Sequence, residues 1–166
     1  MLHFGAPPPI SFEKFLKACE GLLDENDMEI IKASGITAAY GREAVHPLLA
    51  EYRAFDTALR NELVKIRASR KKVDPSPYLR EDGHSEPAIA HIAMNAYKNT
   101  SILEAERMLD RERWQTLDDL AMGHYFDIEF LIVYAHKLLI LERWERVRRL
   151  DRKQALEEAL QKEQAS

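Results

Sequence analysis

Two apolar-periodic runs between Ser101 and Trp144, separated by Gly-His-Tyr-Phe-Asp at 123–127, constrain the fold of this chain more than any other feature. Ser101 followed by Glu104 has capping-box spacing, in which a hydroxyl and a carboxylate satisfy free N–H groups at a helix start. Gly123 suits the left-handed torsion that ends a helix, and Asp127 can accept from the N–H groups that open the next one. The pattern predicts a helical hairpin, one helix over about 101–121 and another from Asp127. The first has a broken stripe, because Glu106 to Arg113 is mostly charged.

The rest of the chain reads as helices joined by short breaks. Met1 to Ile10 is a Pro-rich lead-in, where Pro7, Pro8 and Pro9 favour extended backbone. Ser11 caps a helix with Phe12, Phe15, Leu16 and Cys19 on one face, and Gly21 ends it. A short helix is expected from Asn26 to Ala33, closed by Gly35, with a connection from Gly35 to Gly41. Val45, Leu48, Tyr52, Phe55, Leu59, Leu63 and Ile66 step by three or four and predict a long amphipathic helix, with Pro47 in its first turn. Glu51, Arg53, Arg60, Lys65 and Arg67 fall on the opposite face.

Periodicity lapses from Lys71 to Glu86, where Asp74, Pro75, Pro77, Asp82, Gly83 and Ser85 mark a loop. Ser85 is positioned to cap a helix with Pro87 in its first turn and Ile89, Ile92 and Ala96 inside. The last helix is expected to reach about Lys162. Ile128 to Trp144 is apolar nearly all round, as for a helix surrounded by others, whereas beyond Glu145 only Val147, Leu150, Leu156 and Leu160 interrupt the charges. The expected architecture is all-α: a single compact bundle of about six helices with a long C-terminal helix. Its parts are a lead-in over 1–10, a bundle over 11–144 with a loop near 71–86, and a charged helical extension over 145–166. No repeat of 20 to 50 residues and no strand alternation is visible.

Charge and cysteine content narrow the functional classes. A net charge of −4 argues against a general polyanion binder, which needs a cationic excess to release counterions. The lone Cys19 cannot form an internal disulfide, so a reducing cytoplasm is the expected compartment. The longest apolar run, Phe130 to Leu141, is too short for a bilayer and holds His136 and Lys137. The N-terminus lacks a secretory signal pattern. Membrane association is therefore expected only through partner proteins.

Candidate chemistry is sparse. Glu43-x-x-His46 places two metal ligands on one helical face, but di-metal bundles need a second copy, and none of His91, His124 or His136 follows a Glu at that spacing. His124 and Tyr125 either present a polar pocket or fix the turn by hydrogen bonds, and His136 reads as a core or rim histidine. Cys19 has no distinctive electropositive neighbours and reads as core packing. No Gly-x-Ser-x-Gly elbow and no Gly-rich phosphate loop occurs. No catalytic residue, cofactor or metal is expected. Two basic clusters stand out: Arg67, Arg70, Lys71 and Lys72, and then Arg143, Arg146, Arg148, Arg149, Arg152 and Lys153, the latter interleaved with Glu142, Glu145 and Asp151.

Pro9-Ile10-Ser11-Phe12-Glu13-Lys14-Phe15-Leu16, Leu59-Arg60-Asn61-Glu62-Leu63-Val64-Lys65-Ile66-Arg67, and Ile102 to Trp144 with its Gly123-His124-Tyr125-Phe126-Asp127 centre carry a resemblance. Together they resemble an uncharacterised bacterial family associated with V-type ATPases, a shortened relative of the all-helical central-stalk adaptor that seats the rotor shaft on the membrane ring. The resemblance implies a non-enzymatic adaptor or assembly component that links rotor shaft and membrane ring by protein contacts. Arg60, Arg67, His124, Tyr125, Arg143, Arg146 and Arg149 are the expected partner-contact residues, and Trp114 and Trp144 are expected to stiffen the body. Two other classes compete: a helical-bundle enzyme or ligand-binding protein with a pocket built from His91, His124, Tyr125 and His136, and a nucleic-acid-binding module using the two basic clusters.

Overall fold

A computed structural model describes residues 2–35, 46–80 and 86–164, with the backbone alone from 154 onward. Five of the six helices begin where a side chain offers an acceptor for free N–H groups. The Ser11 hydroxyl accepts from the Lys14 N–H to open α1, Phe12–Cys19. Asp24 does the same for Asp27 and opens α2, Glu25–Ser34, slightly earlier than periodicity predicts. In α3, Pro47–Lys71, the proline occupies the first turn, and the His46 ring accepts from the Leu48 N–H through Nδ1 at 3.2 Å. Ser101 caps α5, Ile102–Leu120, through the Glu104 N–H, and Asp127 Oδ1 accepts from the Phe130 N–H to open α6, Ile128–Gln164.

Helix ends depart from expectation in two places. Gly35 follows α2 with a right-handed φ of −80°, so left-handed torsion is not its role. A Cβ there would lie 2.6 Å from the Phe12 ring, and the missing side chain is what lets α1 and α2 close together. The α3 helix ends on Lys72 in the left-handed region, its N–H bonded to the carbonyls of Ala68 and Ser69. Gly123, φ +88°, supplies the reversal between α5 and α6 as its sequence position implies.

The loop after α3 contains a 3₁₀ turn, Ser76–Tyr78, and is fastened back onto the helix. Asn61 Nδ2 donates to the Arg80 carbonyl while the Arg80 N–H donates to Asn61 Oδ1. Then α4, Pro87–Lys98, starts at Glu86 without a side-chain cap. The expected capping residue, Ser85, lies outside the described residues, as do Glu43 and Val45.

The six helices form one all-α bundle, with no strand among the described residues. Its interior divides into three apolar groups. Ile30, Leu49, Tyr52, Trp114, Leu117, Ile132 and Leu141 make the centre. Leu59, Leu63, Ile89, Ala93 and Leu109 pack one end, where α4 lies on α3 and α5. Phe15, Met28, Ile31, Ala135 and Leu138 pack the contacts of α1 and α2 with α6. The lead-in joins this body: Phe4 meets the Trp114 ring edge-on at 5.6 Å, and Arg148 Nη1 donates to the Gly5 carbonyl at 2.7 Å. No helix among the described residues is long and apolar enough to cross a membrane.

Candidate functional site

Between the central and α4-end apolar groups lies a layer of buried charge. Asp56 on α3 and Asp110 on α5 are each 1% exposed, and Arg113 stands between them. Arg113 donates through Nε to Asp56 Oδ1 at 2.7 Å and through Nη1 to Asp110 Oδ1 at 3.0 Å. Arg60 donates to the other Asp56 oxygen at 2.7 Å, and Arg143 and the Trp144 indole N–H, both on α6, donate to Asp110 Oδ2. Burial disfavours the Arg113 charge, but Asp56 foremost and then Asp110 outweigh it, and the guanidinium is held protonated more firmly than in water. Such a layer costs desolvation that offsets much of its Coulombic gain, and its bonds tie α3, α5 and α6 to one another.

One side of this layer opens into a cavity of about 340 Å³ among α2, α3, α5 and α6. Arg53, Arg113, Arg143 and Arg146 line it with Asp110, Tyr52 and His136. The His136 ring lies 4.6 Å from the Tyr52 ring. Its Nε2 atom is buried without a hydrogen-bond partner. Burial, then the positive field of Arg53, lower its pKa to about 4 against the opposing pull of Asp56, so the ring is neutral at pH 7.

The α5–α6 turn forms a second constellation. His124 Nδ1 lies 2.7 Å from Asp127 Oδ2 and 3.8 Å from Glu129 Oε2, and His46 Nε2 reaches Glu129 Oε1 at 3.5 Å. Desolvation opposes ionisation of Asp127, but the His124 and Phe130 N–H hydrogen bonds prevail and hold its carboxyl below the usual range. The nitrogen of His124 and one oxygen each of Asp127 and Glu129 lie within 4.8 Å of one another, a donor set of the kind divalent ions accept. In the structure these groups act as a clasp tying the starts of α3 and α6. Beyond the clasp Met122, Tyr125 and Phe126 stand in solvent, 74%, 70% and fully exposed.

The expected contact residues are therefore distributed over distinct settings. Arg60 and Arg143 are engaged inward with Asp56 and Asp110. Arg67 is exposed on α3, Arg146 is exposed at the cavity mouth, and Arg149 pairs with Glu145 on its own helix. His124 and Tyr125 sit at the hairpin tip, His124 turned to the clasp and Tyr125 to solvent. Of the residues expected for a His/Tyr pocket, His136 lines this cavity, and His91, His124 and Tyr125 do not. Arg70, Lys71 and Lys72 crowd the C-terminal end of α3, where cations complement the helix dipole. Burial pushes the Cys19 thiol up and keeps it protonated, which fits core packing.

Sequence reasoning missed Asp56, Asp110 and Arg113. The available signal was positional: Asp56 falls one helical turn after Tyr52 and three residues before Leu59, inside an apolar stripe. The broken stripe of α5 is the same layer seen from the other side.

Fold and site together define an all-α bundle with an ionic brace, a cationic cavity and an exposed apolar tip. Residues 92–161, from within α4 to near the end of α6, are similar to a family described as "Protein of unknown function (DUF2764)". That stretch contains Asp110, Arg113, His124, Asp127, Glu129, the tip and His136, but not Asp56 or Arg53. No curated protein and no solved structure matches the chain.

Proposed function

We propose that this protein is a non-catalytic adaptor or assembly component of a V/A-type rotary ATPase, joining rotor shaft and membrane ring through protein contacts. The observation that carries the reading is the hairpin tip: three large apolar side chains exposed on a turn built with Gly123 at positive φ and the His124–Asp127 hydrogen bond. An exposed apolar patch of three large side chains suits docking onto another protein. The resemblance of this hairpin, together with residues 9–16 and 59–67, to the V-type-associated family supports a rotary ATPase as the partner. A part that transmits torque needs stiffness, which the close-packed interior and the ionic brace provide.

The test is purification of the tagged chain from its native cell under gentle extraction. Rotary ATPase components are expected in stoichiometric amounts, and the double variant Tyr125→Ser/Phe126→Ser should lose them while melting like the parent. Absence of every rotary ATPase component from the parent preparation would overturn the reading.

A further inference from the structure

The cavity beside the ionic layer has a composition that the adaptor role does not need. The chain as a whole is acidic, at −4, yet four arginines and a single aspartate line this one recess. The internal ion pairs of two of these arginines leave donors over: a guanidinium carries five N–H groups, and the bonds described engage Nε and Nη1 of Arg113 and Nη2 of Arg143. Arg146, at the mouth, has no ion pair among the described residues. His136 adds a buried nitrogen without a partner, an arrangement that native interiors rarely leave unexplained.

We propose that this cavity binds a small molecule carrying a phosphate-class oxyanion, received by Arg143 and Arg146 at the mouth and by Arg113 on the wall, with the charge of Arg53 adding to the positive field. Planar guanidinium groups match tetrahedral oxyanions through paired N–H donors, and several around one recess favour a dianion over a monocarboxylate. A volume of about 340 Å³ admits pyrophosphate or a phosphorylated metabolite, but walls drawn from four helices leave no room for a duplex or a protein helix. The bound dianion offsets the Arg53 field on the imidazole, so His136 gains basicity when the site fills.

Titration calorimetry and thermal melting of the full chain with inorganic phosphate and with pyrophosphate, at constant ionic strength, test this. Saturable one-to-one binding is expected, with a rise in Tm that matched chloride does not reproduce. Arg146 is exposed, so Arg146→Gln should fold normally and weaken binding about tenfold, the loss of one charge-assisted contact. In NMR titrations the His136 ring should change protonation at higher pH with pyrophosphate than without. The proposal is overturned if neither probe gives a saturable isotherm, if chloride reproduces the stabilisation, or if Arg146→Gln binds pyrophosphate as tightly as the parent.

Discussion

Asp110 and Glu145 both gather cationic side chains around one carboxylate, and they differ in nearly every consequence. Asp110, 1% exposed on α5, is bonded to Arg113 on its own helix and to Arg143 and Trp144 on α6. Glu145 on α6 is bonded to Arg148, Arg149 and Arg152, all within seven residues of it on the same helix. The first cluster holds separate helices in register. The second decorates a helix that already exists. The number of ion pairs, two at Asp110 and three at Glu145, is therefore no guide to structural weight, which is decided by desolvation and by sequence separation.

The sharpest way to break the contrast is to remove one member of each cluster. Asp110→Ala leaves Arg113 with half its compensation and the Trp144 N–H without an acceptor, and should cost about 3 to 5 kcal/mol in urea denaturation. Trp114→Ala, which empties the neighbouring apolar centre, should cost about the same, 3 to 5 kcal/mol, by leaving a cavity. The two losses have different remedies. The combined variant Asp56→Leu/Asp110→Leu/Arg113→Met should regain most of the stability that Asp110→Ala loses, because Arg60 and Arg143 are partly exposed and can turn to water. A triple variant no more stable than Asp110→Ala would mean that the layer contributes net attraction as well as register.

The next largest effect belongs to the rim of the same layer. His136 is held neutral with a pKa of about 4 against an ordinary 6.5. Between these values the unfolded chain binds a proton that the folded chain refuses, so stability falls as pH drops from 6.5 to 4 and this share then levels off. The His136 share is about 3 kcal/mol over that range. His136→Phe should flatten it, measured as the difference in unfolding free energy between pH 7 and pH 4.5 for the two proteins. An unchanged slope in the variant would locate the acid sensitivity elsewhere.

The same contrast explains which parts of the molecule are legible in the sequence. Helix starts at Ser11, Pro47, Ser101 and Asp127 are encoded within four residues, and each stands in the structure where the sequence predicts it. Apolar periodicity places Leu48, Tyr52, Leu59 and Leu63 in the core for the same local reason. Arg149 beside Glu145 is another local feature, read from i,i+4 spacing. The Asp56–Arg113 bond spans 57 residues, and no local pattern states that the two helices cross there. Charged residues in a helix default to solvent on composition alone, which is why Arg60 and Arg143 read as surface contacts and the cavity escaped notice. Gly35 is a related case: its need for space is created by Phe12 on another helix, invisible to a torsion-based reading.

The smallest effect is also a test of the principle. Glu145→Gln keeps shape and hydrogen-bonding capacity while removing the charge on which three arginines converge. Its carboxyl lies below the ordinary 4.5 chiefly through the Arg149 hydrogen bond, opposed by partial desolvation and aided by Arg148, Arg152 and Arg149 charge. Whatever it adds is thus present at neutral pH and lost only as pH falls below 4.5 through its lowered native value. At pH 7 the variant should unfold at the same urea concentration as the parent, because water and salt screen exposed pairs and α6 persists on packing from Ile128 to Trp144. A drop comparable with that of Asp110→Ala would instead make the distal helix part of the cooperative core. The place to look would then be Arg148, which reaches from Glu145 to the Gly5 carbonyl and so couples the lead-in to α6.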